Sequence, residues 1–374
     1  MPLLRKATAT RRGGKPPPTV ISLSTVATGS LQVPNTCKPY YHNGYYYAFF
    51  SSGGKLYYCY SSDAKTWSSP VLIASVNARW SVMGIDNLIL LVRTVSIDYD
   101  KVRVGTIQAD GTITWSSDVS LQPLITQTRS CYCFATKVSG VRKMFVGAII
   151  NDSVHPFPLQ PTDNVYVSDD DGATWTELKG LLGDFTSLFW REFLVVPYDD
   201  GNKLLEIHSP LENAVFQTYT ICSLYRNGSS GDTAMTQVDN NFKNQYYLDD
   251  QAYAVLVGSH VHLVYVDGSN NLLHKRVAAG GSWETVGTVK TGLNSDAGVT
   301  LCYDSASGKL HIIYYEATAV KRKIWNGVAY GAEETLVKDE GDVNQLTAYP
   351  APLNNRILLN WKDTANIRFA LVRK

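Results

Sequence analysis

Short apolar runs alternate with polar positions along most of the chain, and clusters of Gly, Asn, Asp and Ser separate the runs. The plan is clearest in AYAVLVGSHVHLVYVDGSNNLLHKRV from Ala252 and GVTLCYDSASGKLHIIYYEA from Gly298, where a hairpin turn precedes H-L-V-Y or H-I-I-Y. A period of two sends one face of each run into a core, and the turn clusters mark where each strand reverses. KPYYHNGYYYAFF from Lys38 and LTAYPAPLNNRILLNW from Leu346 have the same shape. No stretch beyond about a dozen residues carries a 3.6-residue apolar period, so helices are not expected.

A second pattern punctuates the strands. S-D-D-D-G-A-T-W runs from Ser168 to Trp175, and weaker copies follow other strand-like runs: S-S-D-A-K-T-W at Ser61 to Trp67, A-D-G-T-I-T-W at Ala109 to Trp115, and G-G-S-W at Gly280 to Trp283. Each residue type has a physical task. An Asp caps turn amides, Gly takes positive φ, Thr adds a local acceptor, and Trp buries its ring against the blade. The strongest copy fits S-x-D-x-G-x-T-W and resembles the Asp-box of sialidase-like (BNR-repeat) β-propellers. The resemblance makes Ser168, Asp170, Gly172, Thr174 and Trp175 structural residues, together with Asp63, Trp67, Asp110 and Trp115, and makes the aspartates turn staples.

Seven units sharing one plan are read from the chain, with inner strands beginning near Lys38, Arg79, Arg129, Trp190, Asp250, Asp296 and Gln345. The expected fold is all-β, a single propeller of seven four-stranded blades over residues 19–374. Six blades plus an irregular unit is the alternative, because the repeat from Trp190 to Val238 is the least regular. The last unit supplies only three strands before Lys374, so its edge needs a cover. TVISLSTV from Thr19 to Val26 is expected to close the ring as that blade's outer strand.

Composition agrees: aromatics are 11 %, with 23 tyrosines, and charged residues only 18 %, which is strand material. A net charge of +1 gives no field for nucleic acid, and no stretch is long and apolar enough to span a bilayer. Cys37, Cys59, Cys131, Cys133, Cys222 and Cys302 sit in apolar or aromatic runs, as buried free thiols do, and their spacing lacks a C-x-x-C pair. No metal or cofactor is expected, and His262 and His311 are read as equivalent strand residues of the repeat. Residues 1–18 lack a secretory h-region. Their five cations and the prolines Pro16 to Pro18 describe a flexible basic tail, either solvated or docked on a larger assembly.

In such a ring, the loops entering the inner strands and those joining second to third strands gather at one end of the central channel. The turns with Trp lie at the other. The channel mouth is therefore expected to show Lys38, Arg79, Arg129, Arg191 and Asn344, with Trp80, Tyr132 and Trp190 nearby, a polar and aromatic mixture suited to sugars. Asp250 and Asp296 also begin inner strands and are the candidate catalytic acids, with Asp249 beside the first. The loop Asn151 to Pro161 presents Phe157 at the same end, and Ile97 to Asp100 adds acids there. The same groups can equally pair among themselves.

The sialidase pattern of an arginine triad, a Tyr and Glu nucleophile pair and an Asp acid/base is not matched. Where the family has its first arginine, in an Arg-Ile-Pro stretch, this chain has Gln32, Val33 and Pro34. Glu192 adjoins Arg191, and strand alternation would turn the two apart. The resemblance thus carries architecture and not activity. The expected function is a non-catalytic recognition propeller for glycans or a host-surface receptor, made in the cytoplasm and acting in a virion or at a cell surface. The alternatives are a glycoside hydrolase or lyase using Asp250 and Asp296, and a rigid protein-interaction scaffold.

Overall fold

Turn chemistry sets the strands. Asn43 and Gly44 take φ of 48° and 87°, and Gly53 and Gly54 take 57° and 71°, the paired left-handed residues that a tight two-residue hairpin requires. They join Tyr40–His42, Tyr45–Ser52 and Lys55–Ser61 into one antiparallel sheet with Val71–Ser75. The computed structural model describes residues 20–31, 38–75, 79–96, 99–121, 128–152, 160–178, 190–198, 203–210, 221–227, 231–232, 236–243, 251–293, 298–338, 340–341 and 343–374. At some strand positions, Arg129, Trp190, Arg191, Glu192 and Asn344 among them, the description stops at the backbone.

The described residues form seven antiparallel sheets, five with four strands and two with five, in the β-propeller arrangement. The inner strands of blades one to seven are Tyr40–His42, Trp80–Ile85, Thr128–Val138, Trp190–Pro197, Ala252–Val257, Val299–Asp304 and Val343–Ala348. Each of the first six approaches the next around the axis. Neighbours cover both faces of such a strand, and every residue from Trp80 to Ile85 is buried. The fourth repeat departs from four strands, since Gly231–Asp232 and Thr236–Asp239 each pair with Ile221–Asn227 and split the outer edge in two. The second repeat splits likewise at Ile113–Trp115 and Val119–Ser120.

Closure is non-covalent and uses the N-terminal strand. Val20–Thr28 pairs antiparallel with Asn366–Arg373, with Val20 opposite Val372 and Thr28 opposite Asn366. Thr19, the predicted start of this strand, and the tail 1–18 lie outside the described residues.

The turns with Trp carry the capping expected of them and a further role. Asp170 Oδ1 accepts from Thr174 N at 2.9 Å and Ser168 Oγ at 2.8 Å, and Gly172 N donates to Ser168 Oγ at 2.8 Å. Asp63 accepts from the amides of Lys65 and Thr66, both at 2.8 Å, and Asp110 from Thr112 N at 2.9 Å. The Thr174 hydroxyl, which donates to Asp170 Oδ2 at 2.5 Å, together with these donors holds the Asp170 carboxyl down at about 2, and the Thr66 and Lys65 amides with Ser61 do the same for Asp63.

Each turn also docks on the third strand of the preceding blade, which no residue spacing announces. Trp67 Nε1 donates to Ser24 Oγ at 2.9 Å and its ring meets Phe369 edge-on at 4.9 Å, clasping blade one to blade seven. In blade two, Ile113 N donates to the Tyr58 hydroxyl of blade one at 3.0 Å, and Gly111 lies so close to Tyr45 and Tyr60 that a Cβ would sit 2.8 Å from their rings. Gly172 of blade three meets Val104 of blade two in the same way. Trp283 Nε1 of blade five donates to Ser223 Oγ of blade four at 2.8 Å. In blade six, Tyr330 takes the Trp role, its hydroxyl 3.0 Å from His274 Nδ1 of blade five. Trp67→Ala empties the blade seven to blade one clasp and is expected to cost about 3 kcal/mol, read as a lower urea midpoint with an unchanged m-value.

Candidate functional site

The predicted channel mouth resolves differently from the expectation. Lys38 is only 1 % exposed, Trp80 1 % and Tyr132 4 %. The Lys38 side chain runs from blade one to blade three, where Nζ lies 3.4 Å from the Tyr132 hydroxyl and 5.0 Å from its ring centre. These three groups therefore cannot present faces to a sugar at an open mouth. So near the axis, a long side chain from one blade packs on a blade that is not its neighbour in the ring. Arg79 is half-buried and makes contacts within the protein.

Arg129, Trp190, Arg191 and Asn344 are described as backbone only, while Asp249, Asp250, Asp296, Phe157, Ile97 and Asp98 lie outside the described residues. The backbone alone adds one point. Pairing shifts register between Thr128 and Ser130, between Trp190 and Glu192, and between Asn344 and Thr347. Three inner strands thus begin at a bulge, where strict alternation lapses. The expectation that Arg191 and Glu192 face apart, which rested on strict alternation, loses its basis at that bulge.

A cleft of about 440 Å³ lies at the opposite end, where the inner strands finish. Its floor is Met83, Ile85 and Val255 from blades two and five, all buried. Four aromatic side chains wall it: Tyr40, Phe134, Tyr303 and Tyr349. The polar groups stand at the rim, namely Asp86, Thr136, Lys137 and Ser305. Glycine shapes the wall at one point: a Cβ on Gly84 would sit 2.3 Å from the Tyr40 ring, so only Gly lets that ring lie flat against the inner strand of blade two.

The deep polar groups of the cleft are satisfied internally. Tyr40 donates its hydroxyl to Asp86 O at 2.8 Å, and Tyr349 donates to Gly84 O at 2.7 Å. Burial raises both phenols far above their ordinary value, so both stay protonated. Asp86 accepts from Lys137 Nζ at 2.7 Å and Arg142 Nη1 at 3.3 Å. Burial pushes its carboxyl up, but the two cations outweigh burial and leave it below the ordinary carboxylate value. Among the described lining residues Asp86 is the only carboxylate and Lys137 the only cation. Arg142 also pairs with Asp171 of the blade-three turn, so the rim of the cleft is tied to a capped turn.

No motif pointed to Tyr40, Phe134, Tyr303 or Tyr349. They arrive singly from four blades, on or directly beside the inner strands, and the reading of the sequence placed chemistry at the other end of the channel. The available signal was positional: an aromatic in each of Y-Y-H-N-G, C-F-A-T, C-Y-D-S and A-Y-P-A, next to the first hairpin of its blade.

Among the described residues Cys59, Cys131, Cys133 and Cys302 are free and buried, and no helix is long and apolar enough to cross a membrane. His262 and His311 occupy matching positions in the second strands of blades five and six, both buried.

No protein-family model matches the chain. No curated protein matches it in sequence either. Solved structures do match in shape. The BP39L lectin from Burkholderia pseudomallei aligns over 95 % of this chain and 96 % of its own with a TM-score of 0.66 at 11 % identity. An ulvan lyase of polysaccharide lyase family PL25 aligns over 95 % of both chains with a TM-score of 0.59 at 11 % identity. The Trypanosoma rangeli sialidase aligns over 94 % of this chain and 58 % of its own, with a TM-score of 0.50 at 14 % identity. At such identities the likeness is one of fold: the chain is an all-β propeller similar in architecture to a lectin, a polysaccharide lyase and a sialidase.

Proposed function

We propose that the protein is a non-catalytic recognition propeller that binds glycans, with the aromatic-walled cleft at the ends of the inner strands as its binding site. The turns capped by Asp63, Asp110 and Asp170 are, in this reading, Asp-boxes. The observation that carries the proposal is the pairing of four aromatic walls with a single carboxylate already held by two cations. Flat aromatic faces pack against the C–H faces of pyranose rings, and rim groups take up hydroxyls. A two-carboxylate glycosidase needs its acids about 5 to 9 Å apart, one of them protonated at working pH. Asp86 has no such partner among the described lining residues, and Lys137 and Arg142 keep it ionised.

A glycan array run beside a fluorogenic glycoside panel on the same full-length sample tests this. Binding without turnover is expected, and Tyr303→Ala or Phe134→Ala should weaken it about tenfold. Turnover that disappears in Asp250→Asn or Asp296→Asn would replace the proposal with the hydrolase or lyase alternative. Silence on both panels would leave a protein-interaction scaffold. The basic residues 1–18 would tether the propeller to a larger assembly such as a virion appendage, and the glycan would then be a host-surface receptor.

A further inference from the structure

The floor of the cleft and its rim make opposite demands on a ligand. Met83, Ile85 and Val255 offer no hydrogen-bonding atom from their side chains, and two of the three lining phenols are already spent on Asp86 O and Gly84 O, while the third, on Tyr303, belongs to a half-buried wall residue. A sugar hydroxyl pushed to this depth would lose its water and find no partner there, which costs about a factor of ten or more in affinity. A methyl group in the same place would gain by burial. The rim is the reverse. Asp86, Thr136, Lys137 and Ser305 are half-buried or exposed, and they supply acceptors and donors to hydroxyls that stay near water.

Resting on the glycan reading above, we infer that the cleft selects a pyranose bearing a methyl-terminated substituent, which it seats on the Met83, Ile85 and Val255 floor while the ring hydroxyls remain at the Asp86 and Lys137 rim. Two sugar chemistries supply such a group, the acetamido methyl of an N-acetylated amino sugar and the C6 methyl of a 6-deoxyhexose. A fully hydroxylated hexose supplies neither. The aromatic walls serve the ring in either case, so they set affinity, and the floor sets choice. Half-buried Leu256, beside Val255 on the lining, borders the floor on the blade-five side.

Titration calorimetry of the full-length protein with free reducing sugars, which carry no added methyl aglycone, reads this directly. N-acetylglucosamine is compared with glucose, and 6-deoxygalactose with galactose. At least one methyl-bearing member should bind about tenfold tighter than its hydroxylated partner, and the pair that responds identifies the substituent. Val255→Thr, which puts a hydroxyl on the floor at nearly constant volume, should bring that ratio close to one; Leu256→Ser serves the same end at a less buried position. Thermal melts establish that each variant is folded. Equal binding within both pairs, or a preference that survives both substitutions in folded protein, overturns the inference while leaving glycan recognition standing. Failure of all four sugars, together with a silent array, removes the glycan reading itself.

Discussion

Acidification from pH 7 to pH 4.5 is expected to unfold the propeller, beginning at the seams of blades five, six and seven. Three imidazoles sit there at 2 %, 0 % and 0 % exposure: His262, His274 and His311. His262 Nδ1 and His274 Nε2 are 2.8 Å apart, and His274 Nδ1 meets the Tyr330 hydroxyl of blade six, so the two rings share one hydrogen bond and cannot both carry a proton at that contact. Trp325 of blade six packs on both rings at 5.0 and 5.5 Å. Burial, then the neighbouring His274, Arg276 and His260, lowers His262 to about 3; burial and Arg276 lower His274 to about 4. His311 falls to about 4 through burial and then Arg322, whose Nη1 is 3.5 Å away and also bonds Arg373 O of blade seven.

All three groups bind protons more weakly folded than unfolded, where imidazole titrates near 6.5. Their stabilisation is complete above about pH 6.5 and is lost as pH falls toward 4, at about 1.4 kcal/mol per pH unit for each ring. By pH 5 that is about 2 kcal/mol for each ring, and the three together rival a typical domain stability of about 5–15 kcal/mol. The capped carboxylates act in a lower window. Asp63, Asp170 and Glu333, held at about 2, contribute fully above about pH 4 and lose that contribution only between 4 and 2. Circular-dichroism melts at intervals from pH 7.5 to 4.5 check the point. His311→Gln should flatten the slope by about a third; a melting temperature that stays level from pH 7 to pH 5 would sink the account.

A chain that begins at Gly29 is expected not to form the ring at all. It lacks Val20–Thr28, which supplies the outer edge of blade seven and two of the hydroxyls at the seam. Ser22 and Ser24 both donate to Ala64 O, at 2.8 and 3.0 Å, and Ser24 also receives the Trp67 indole. Without the strand, Asn366–Arg373 becomes an open edge with unpaired backbone groups, a template for aggregation. Size-exclusion chromatography should show aggregate in place of the full-length protein's peak, and a synthetic peptide of residues 19–28 added during refolding should restore that peak. Removing residues 1–18 alone should leave the melting temperature unchanged. A well-folded monomer without residues 1–28 would mean that the pairing adds nothing to ring closure.

Much of this architecture was legible in the chain because turns and alternation are local. Y-H-N-G-Y-Y-Y announces a hairpin whether or not its neighbours are known, and the inner strands begin within three residues of where alternation placed them, as at Trp80 and Val299. The closing strand was legible by deficit, since the last repeat came up one strand short. What was hidden is relational. Nothing in K-P-Y-Y says that Lys38 crosses to Tyr132, nor in A-K-T-W that the indole of Trp67 belongs to the seam with blade seven. The cleft was missed for the same reason: Tyr40 and Tyr349 lie over 300 positions apart, yet their ring centres are 5.3 Å apart.

The five clasps described between blades run one way, from the turn of one blade back to the outer half of the blade before it, so each is a head-to-tail joint within a single chain. Head-to-tail joints carry no instruction to stop, and they make a closed object only when their rotations sum to a full circle. In this chain the stop comes from the termini. The Trp67 clasp reaches two strands, Val20–Thr28 before it in the chain and Asn366–Arg373 far after it, so the indole of Trp67 is made long before Phe369, its partner, exists. The joint between blades seven and one is therefore the one that synthesis completes last, and the folded ring records that order as its single non-covalent blade.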